Sequence, residues 1–249
     1  IPDGDVPALS VNLHANQIST LGEELYTAGE TPTVQLLADS NQIKDALSDF
    51  IVASKIADLV DKDQLDIRML DEPVQNAMMA TESEIVVPLM GGHTITSADK
   101  DTAAALYSEF VSHFEDAESY HLRTPPISKV KSTLREELGD DIADDLGVVL
   151  SHADEISNSD KYLNIVEVTI LLAARNEILQ YDIAKWGEDT GIASKATYSR
   201  TKSALEDTGL ITTEKVPIDI GRPRLRLIAT ENVANSEPKT LSTEITTRA

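Results

Sequence analysis

The stretch Tyr181–Leu227 decides the fold of the second half of the chain: YDIAKWGEDTGIASKATYSRTKSALEDTGLITTEKVPIDIGRPRLRL. Its pattern predicts a helix over 183–190 that is capped by Asp182, and a second helix over 195–208 that is capped by Ser194. A three-residue Gly-Ile-Ala turn joins the two helices, and a left-handed glycine is the usual way to end the first. This spacing is that of a helix-turn-helix.

The neighbouring segments extend this motif. Tyr162–Asn176 has apolar residues at helical spacing and predicts a preceding helix. Ile211–Val216 and Arg224–Ala229 predict two strands, and the loop between them is basic, with Gly221 for its turn and a proline that stiffens it. Three helices followed by a strand, a basic loop and a strand predict a C-terminal winged helix-turn-helix, an α+β fold.

The charge distribution singles out the same region. The chain has 21 Lys and Arg against 43 Asp and Glu, a formal net charge of −22. Residues 161–230 hold 10 of these basic groups and 9 of the acidic ones, whereas the other 179 residues hold 11 and 34. Scattered carboxylates of this kind suit a surface in molar salt and predict a halophilic archaeal source. A surface that faces phosphates must lack this excess of carboxylates, because carboxylates and phosphates repel each other. The region is therefore predicted to bind double-stranded promoter DNA.

The predicted DNA contacts lie on the third helix of the motif and on the wing. The N-terminal part of that helix enters the major groove in this fold, where Arg200 is expected to pair with guanine. Ala196, Ala204 and Leu205 are expected to face the core. Trp186 is expected to pack in the core and not to stack on bases. The DNA-binding set comprises Lys195, Thr197, Tyr198, Arg200, Thr201, Lys202, Arg222 and Arg224.

The first part of the chain predicts an α/β domain with a small mixed sheet and flanking helices. Strands over Thr33–Ala38 and Leu65–Leu70 flank a helix from Ser40 to Lys62, which makes a parallel βαβ unit. A hairpin over 76–90, a further strand over 93–96 and a long helix to Ala117 follow. Residues 1–30 show apolar residues at helical spacing and predict a partly helical segment.

Polar groups at strand ends of this domain form a candidate site for a small polar metabolite. The alternative is that the Asp-Ser-Asn segment is only a helix cap and the two glycines only a turn. The five histidines have no metal-binding spacing, no cofactor or metal is predicted, and no nucleophile is paired with a base, so no enzyme is expected. The candidate effector residues are Asp39, Ser40, Asn41, Arg68, Gly91, Gly92 and His93.

The predicted domain boundaries follow from these patterns. The α/β sensor or dimerisation domain spans 1–125, a helical linker 126–160, the winged helix 161–230, and a polar, frayed tail 231–249. Within the linker, helices are expected over Lys129–Leu138 and Asp141–Leu150, and a loop is expected over 151–160. The chain has no cysteine, leader pattern or long apolar run, so a cytoplasmic protein is expected. A homodimer is also expected.

Two stretches resemble a known family. Tyr181–Leu227, quoted above, closely resembles the C-terminal part of the haloarchaeal TbsP-type transcriptional regulators. Val34–Gln75, which reads VQLLADSNQIKDALSDFIVASKIADLVDKDQLDIRMLDEPVQ, is similar to the same family. The resemblance implies a regulator that acts at promoters of central carbon metabolism genes, alongside a sugar-responsive regulator.

Three functions compete at this point. The first is a dimeric, metabolite-responsive DNA-binding regulator, which the basic motif favours. The second is an adaptor whose winged helix binds protein and has no affinity for duplex DNA. The third, an enzyme in the α/β domain, ranks last because no catalytic pair is visible in the sequence.

Overall fold

The computed structural model describes residues 7–29, 32–71, 74–89, 93–156, 164–217 and 223–241. The chain forms two compact units, Ile1–Leu122 and Arg123–Ala249. The described elements of the first unit are β1 (Ala8–Val11), α1 (Ala15–Ala28), β2 (Val34–Ala38), α2 (Ser40–Ala46), α3 (Phe50–Asp61), β3 (Leu65–Met69), β4 (Met78–Ala80), β5 (Ile85–Pro88), β6 (Thr94–Ser97) and α4 (Lys100–Asp116).

In the described residues of the first unit, six strands form one sheet in the order β3-β2-β1-β4-β5-β6. Strands β1, β2 and β3 are parallel, and β4, β5 and β6 continue the sheet antiparallel. The predicted mixed sheet, the parallel βαβ unit and the hairpin are therefore confirmed.

The sheet of the first unit is covered on both faces. Alternate residues of β2 point to opposite sides because the side chains of a strand alternate. Leu36 packs with Ile56 of α3 in a cluster that also holds α1 and α2. Leu37 packs on the other side with Phe114 of α4. Helices α1 to α3 thus cover one face, and α4 covers the other.

Strand β1 is the element that the sequence-based prediction missed. It lies in the middle of the sheet, between β2 and β4, and all four of its residues are buried. The expectation of a partly helical segment over 1–30 holds only for α1, which begins at Ala15. A strand buried on both faces has no alternation of apolar and polar residues, so a four-residue example leaves little periodic signal.

The predicted single helix from Ser40 to Lys62 is two helices. Asp39, and not Ser40, caps α2, because its carboxylate accepts hydrogen bonds from the backbone N–H of the second and third residues that follow it. Asp49 caps α3 in the same way. Two Asp caps ten residues apart break the segment into α2 and α3.

In the second unit, the sequence-based winged helix is confirmed. The described elements are α5 (Ile127–Leu138), α6 (Asp140–Ile156), α7 (Ile165–Arg175), α8 (Gln180–Thr190), α9 (Lys195–Asp207), β7 (Ile211–Val216), β8 (Arg224–Ala229) and α10 (Glu231–Asn235). Helices α7, α8 and α9 precede strands β7 and β8, which pair antiparallel. The Ser194 hydroxyl caps α9 by accepting from the backbone N–H of Thr197 at 3.2 Å. Gly191 takes the predicted left-handed conformation, with φ of 90°.

The described residues of the expected helical linker and of the expected polar tail, 126–156 and 231–241, pack on the winged helix. Helices α5 and α6 contact α8 and α7, so they belong to the second compact unit. Helix α6 runs on to Ile156, through part of the expected loop. In the expected tail, Val233 and Leu241 are fully buried. The Arg175 guanidinium donates to the carbonyls of Val233 and Ser236, both at 2.6 Å, and holds α10 against α7.

Candidate nucleic-acid interface

Helix α9 has one buried and one exposed face. Tyr198, Lys202 and Leu205 are buried, one turn apart from each other along the helix. The exposed face carries Arg200 in the middle of small side chains. The small exposed residues of α9 are Ala196, Ser199, Ser203 and Ala204.

Arg200 is the free cation of the exposed face. Within the part of the chain that the structure describes, its guanidinium forms no hydrogen bond or ion pair. Its neighbours one turn before and one turn after, Ala196 and Ala204, end at Cβ, so they leave the guanidinium as the longest side chain there. Such a surface lets a helix approach the edges of base pairs closely while Arg200 reaches furthest into the groove.

Two residues of α9 that were predicted to lie in the core are on its exposed face. Ala196 and Ala204 were expected to face the core but are exposed, whereas Leu205 is buried as expected. Ser199 and Ser203 share the exposed face and were missed. Ser203 lies three residues after Arg200 and four after Ser199, and these two spacings place it on the same side of the helix as both.

The N-terminus of α9 is tied to α8 through Lys195. Its ammonium lies 2.7 Å from one carboxylate oxygen of Glu188, and its backbone N–H donates to the other at 3.2 Å. The hydrogen bond raises the pKa of Lys195 and lowers that of Glu188. Both side chains are exposed, so the pair is open to exchange with a phosphate. Thr197 is half-buried, and its hydroxyl shares a 3.0 Å hydrogen bond with that of Ser194.

Tyr198 belongs to the core, which corrects its assignment to the DNA-binding set. Its side chain is 1% exposed, and its hydroxyl shares a 3.2 Å hydrogen bond with the Thr169 hydroxyl of α7. Burial raises the pKa of Tyr198 to about 12, with a smaller opposing effect of the hydrogen bond from Thr169. A tyrosine held in this way packs α9 on α7 and does not present its hydroxyl to DNA.

A glycine of α8 makes room for the Tyr198 ring. A Cβ at Gly187 would lie 2.2 and 2.3 Å from two carbons of that ring and 2.4 Å from its hydroxyl oxygen. The next residue toward the N-terminus, Trp186, is fully buried as expected, and its indole N–H donates to the Thr133 hydroxyl of α5 at 3.0 Å. Helix α8 is therefore fixed on both sides.

Lys202 is also turned inward, which corrects its assignment to a phosphate contact. Its side chain is 11% exposed, and its ammonium lies 2.6 Å from a carboxylate oxygen of Glu206. The other carboxylate oxygen of Glu206 accepts from the Thr213 hydroxyl of β7 at 2.9 Å. This chain of contacts joins α9 to the wing strand and neutralises the charge of Lys202 internally. Thr201, between the two faces, is half-exposed.

The wing strands carry three described cations. Arg224 stacks on the Tyr181 ring, with 4.7 Å from its guanidinium carbon to the ring centre, and lies 3.4 Å from Asp182. Arg226 pairs with Glu177 at 3.8 Å. Lys215 is exposed, forms no ion pair with a described residue, and was not among the predicted contacts. Arg222 and its neighbours 218–221 lie outside the described residues.

The structure gives the effector candidates of the first unit other roles. The carboxylate of Asp39 is a helix cap, the alternative that the sequence left open, with Ser40 and Asn41 in the first turn of α2. Arg68 donates to the carbonyls of Phe114 and Glu115 at the end of α4, at 2.9 and 3.0 Å.

The remaining effector candidates are His93, Gly91 and Gly92. His93 is exposed and immediately precedes the edge strand β6. Gly91 and Gly92 lie outside the described residues. Among the described side chains, no group of three or more His, Asp or Glu is arranged to hold a metal ion, and no described helix is long and apolar enough to cross a membrane.

Family models match both units. The model for the N-terminal domain of TbsP-like transcriptional regulators matches residues 2–125, and the model for their C-terminal HTH domain matches residues 126–246. The chain belongs to the TbsP-like transcriptional regulators. No curated protein and no solved structure matches it. In this TbsP-like regulator, helices α8 and α9 form a helix-turn-helix within the residues that the C-terminal model matches.

Proposed function

We propose that this TbsP-like regulator binds duplex promoter DNA through the exposed face of α9 and the wing, as a homodimer. The proposed contact set keeps Lys195, Thr197, Thr201 and Arg200 on α9 and Arg224 and Arg222 on the wing. Tyr198 and Lys202 are left out because they are buried. Lys215 is added because it is an exposed cation on β7.

The observation that carries this proposal is the state of Arg200. Its guanidinium is exposed and has no partner among the described residues, whereas Lys195, Lys202 and Arg224 are each paired with a carboxylate. Because the Arg200 guanidinium is not bound to a carboxylate of any described residue, all of its donors are available to an anionic ligand such as DNA. Its fork of donors matches the two acceptors that guanine shows in the major groove.

Duplex DNA selected from a random-sequence library tests the proposal. The selected duplex is then titrated by fluorescence anisotropy in molar KCl. Arg200→Ala is expected to weaken binding about 10- to 100-fold, since a bidentate contact to guanine contributes about 1–3 kcal/mol. Lys202→Met is the matched control, because it removes the same charge from the same helix at a buried position and should leave affinity within about twofold.

Two outcomes would contradict the proposal. If no duplex is enriched at any salt concentration, the winged helix serves another partner and the adaptor function is favoured. If Arg200→Ala binds as tightly as the wild type while Lys202→Met does not, the exposed face of α9 is not the docking face.

We further propose that the protein acts in the cytoplasm of a haloarchaeon, at promoters of central carbon metabolism genes. The family resemblance and the acidic composition support this setting. Mapping of bound chromosomal sites in cells grown with and without sugar is the test. Enrichment at promoters of sugar-metabolism genes is expected, and a bound set without such promoters would contradict it.

A further inference from the structure

The sheet of the first unit has two edges that differ in protection. Along β3, the backbone N–H of Met69 donates to the carbonyl of Glu118, and that of Tyr120 donates to the carbonyl of Ile67, both at 2.8 Å. The segment after α4 thus covers this edge. At the opposite edge, β6 pairs with β5 on its inner side, and no described strand pairs with its outer side.

Strand β6 is short, at four residues, but among the described residues it shows none of the other features that usually keep an edge strand from pairing. Natural edges are blunted by charged side chains, proline, bulges or a covering segment. The residues of β6, Thr94–Ser97, include none of the charged types and no proline, and all four are exposed. They are β-branched or small, which favours the extended conformation. Ile95 is 58% exposed, and Leu89, at the end of the preceding strand, is 44% exposed.

Electrostatics identifies the partner that this edge suits. Two copies of a chain of net charge −22 would bury carboxylates across most pairs of surfaces, and this desolvation is costly even where salt screens their long-range repulsion. A strand without carboxylates is a place where two identical copies approach without bringing like charges together. An antiparallel strand pair is also self-complementary under a two-fold axis, which a closed dimer requires. The row of unpaired N–H and C=O groups on the outer side supplies the hydrogen bonds.

We propose that two copies of this chain pair through β6, antiparallel and edge to edge, so that their sheets become one continuous sheet. The inference rests on the proposed function for its purpose, since a dimer presents two winged helices to two half-sites of DNA. The two Ile95 side chains lie near the two-fold axis in this arrangement. A four-residue strand buries a small area, so the dimer is expected to dissociate on dilution.

Cysteine cross-linking gives the first test, because the chain has no cysteine of its own. Thr94→Cys, Ile95→Cys and Thr96→Cys each introduce a single thiol on β6. Mild oxidation of the full chain should give a disulfide-linked dimer, most completely at the position nearest the axis, where paired Cβ atoms approach to disulfide range. Val148→Cys is the control, since this residue is exposed on α6 in the other unit and should stay monomeric on a denaturing gel.

Sedimentation in molar KCl without DNA gives the second test. The wild type should form a concentration-dependent dimer, and Ile95→Lys should be a monomer with an unchanged circular dichroism spectrum. Val148→Lys should dimerise like the wild type. A wild type that is monomeric at every concentration, a dimer that survives Ile95→Lys, or cross-linking at Val148 alone would overturn the proposal.

The same proteins separate this inference from the proposed function. A dimer that Ile95→Lys dissociates, with no affinity for any duplex, supports the β6 interface and contradicts DNA binding. A wild-type monomer that binds duplex DNA, and loses it with Arg200→Ala, supports DNA binding and contradicts the interface.

Discussion

The two faces of α9 carry similar residue types with opposite roles. Tyr198 and Lys202 lie on the face toward α7, α8 and the wing, where each has a polar partner inside the protein. Arg200 lies on the other face and has none among the described residues. Residue type alone therefore does not identify a DNA contact in this helix. Packing against the neighbouring elements decides which polar side chains remain available to a ligand.

Most lysines of the helix-turn-helix are neutralised by carboxylates on the same two helices. Lys185, Lys195 and Lys202 each pair with a carboxylate on α8 or α9. These pairs lower the positive charge that the helix-turn-helix presents without removing the lysines. The unpaired cations on described residues of α9 and β7, Arg200 and Lys215, then stand out against a nearly neutral background.

Gly187→Ala should have the largest effect on stability, because the added methyl group would overlap with the buried face of α9. The new Cβ would lie 2.2 Å from the Tyr198 ring, which is enclosed and cannot move aside. We expect a loss of about 3 kcal/mol or more in the free energy of unfolding, as for other overpacked cores. Urea unfolding at constant high salt measures it.

Gly147→Ala is the matched control for this substitution. Gly147 also lies inside a helix, α6, but a Cβ there meets no atom within 4 Å. The higher helix propensity of alanine should make this variant more stable by about 0.5–1 kcal/mol. If both glycine variants were stabilised alike, the close packing of α8 on Tyr198 would be refuted.

Tyr198→Phe should change how stability depends on alkaline pH. The pKa of Tyr198 is raised to about 12 in the folded protein, against about 10 for an exposed tyrosine. The unfolded chain therefore loses this proton first, and stability falls as the pH rises from 10 towards 12, by about 3 kcal/mol in total. The variant lacks this contribution, so its unfolding free energy should fall less over the same range.

Near neutral pH the order of the two proteins should be the reverse. At neutral pH the wild type should be the more stable protein. The variant lacks only the hydrogen bond to Thr169, which lowers its free energy of unfolding by about 1 kcal/mol, while Thr169 keeps its bonds to the carbonyls of α7. The stability curves of wild type and variant should thus cross at alkaline pH. Parallel curves would show that the Tyr198 hydroxyl is not buried in solution.

The sequence predicted the winged helix more closely than the site on it. The wing strands were predicted with the residues that the structure gives, because Ile211–Val216 and Arg224–Ala229 are bounded by turn residues. The faces of α9 were harder, since helical spacing says which residues share a face but not which face is buried. Gly187 is a sequence signal that could have identified the buried face. A glycine inside a helix often marks a place where another element packs closely, and here the Tyr198 ring packs on it.

In the first unit, the limits of the prediction have a different cause. β1 is a four-residue strand buried on both faces and has no periodicity to find. Arg68 was assigned to an effector site because it is a cation in a strand near polar residues. Its actual partners, the last carbonyls of α4, lie more than forty residues further along the chain and depend on the tertiary fold.

The smallest expected effects concern two ion pairs with the same spacing but different burial. Lys202–Glu206 and Lys185–Asp189 are both four residues apart and 2.6 and 2.5 Å long, but Lys202 is 11% exposed and Lys185 is 47% exposed. Lys202→Met should destabilise the protein by about 1 kcal/mol, because Glu206 is left half-buried. Lys185→Met should have a smaller effect on the free energy of unfolding, and none that is measurable in molar salt, where exposed pairs are screened.

Acid titration then separates the two pairs further. Burial acts to raise the pKa of Glu206, but the hydrogen bonds from Lys202 and Thr213 outweigh it, so the pKa is lowered. The stability that this carboxylate contributes is present above the ordinary glutamate pKa and is lost as the pH falls through the lowered value. Without Lys202 the lowering should shrink, so unfolding free energy should depend less on acid pH in Lys202→Met than in the wild type. An unchanged acid dependence would mean that Lys202 faces solvent as Arg200 does, and the two faces of α9 would then no longer differ in charge pairing.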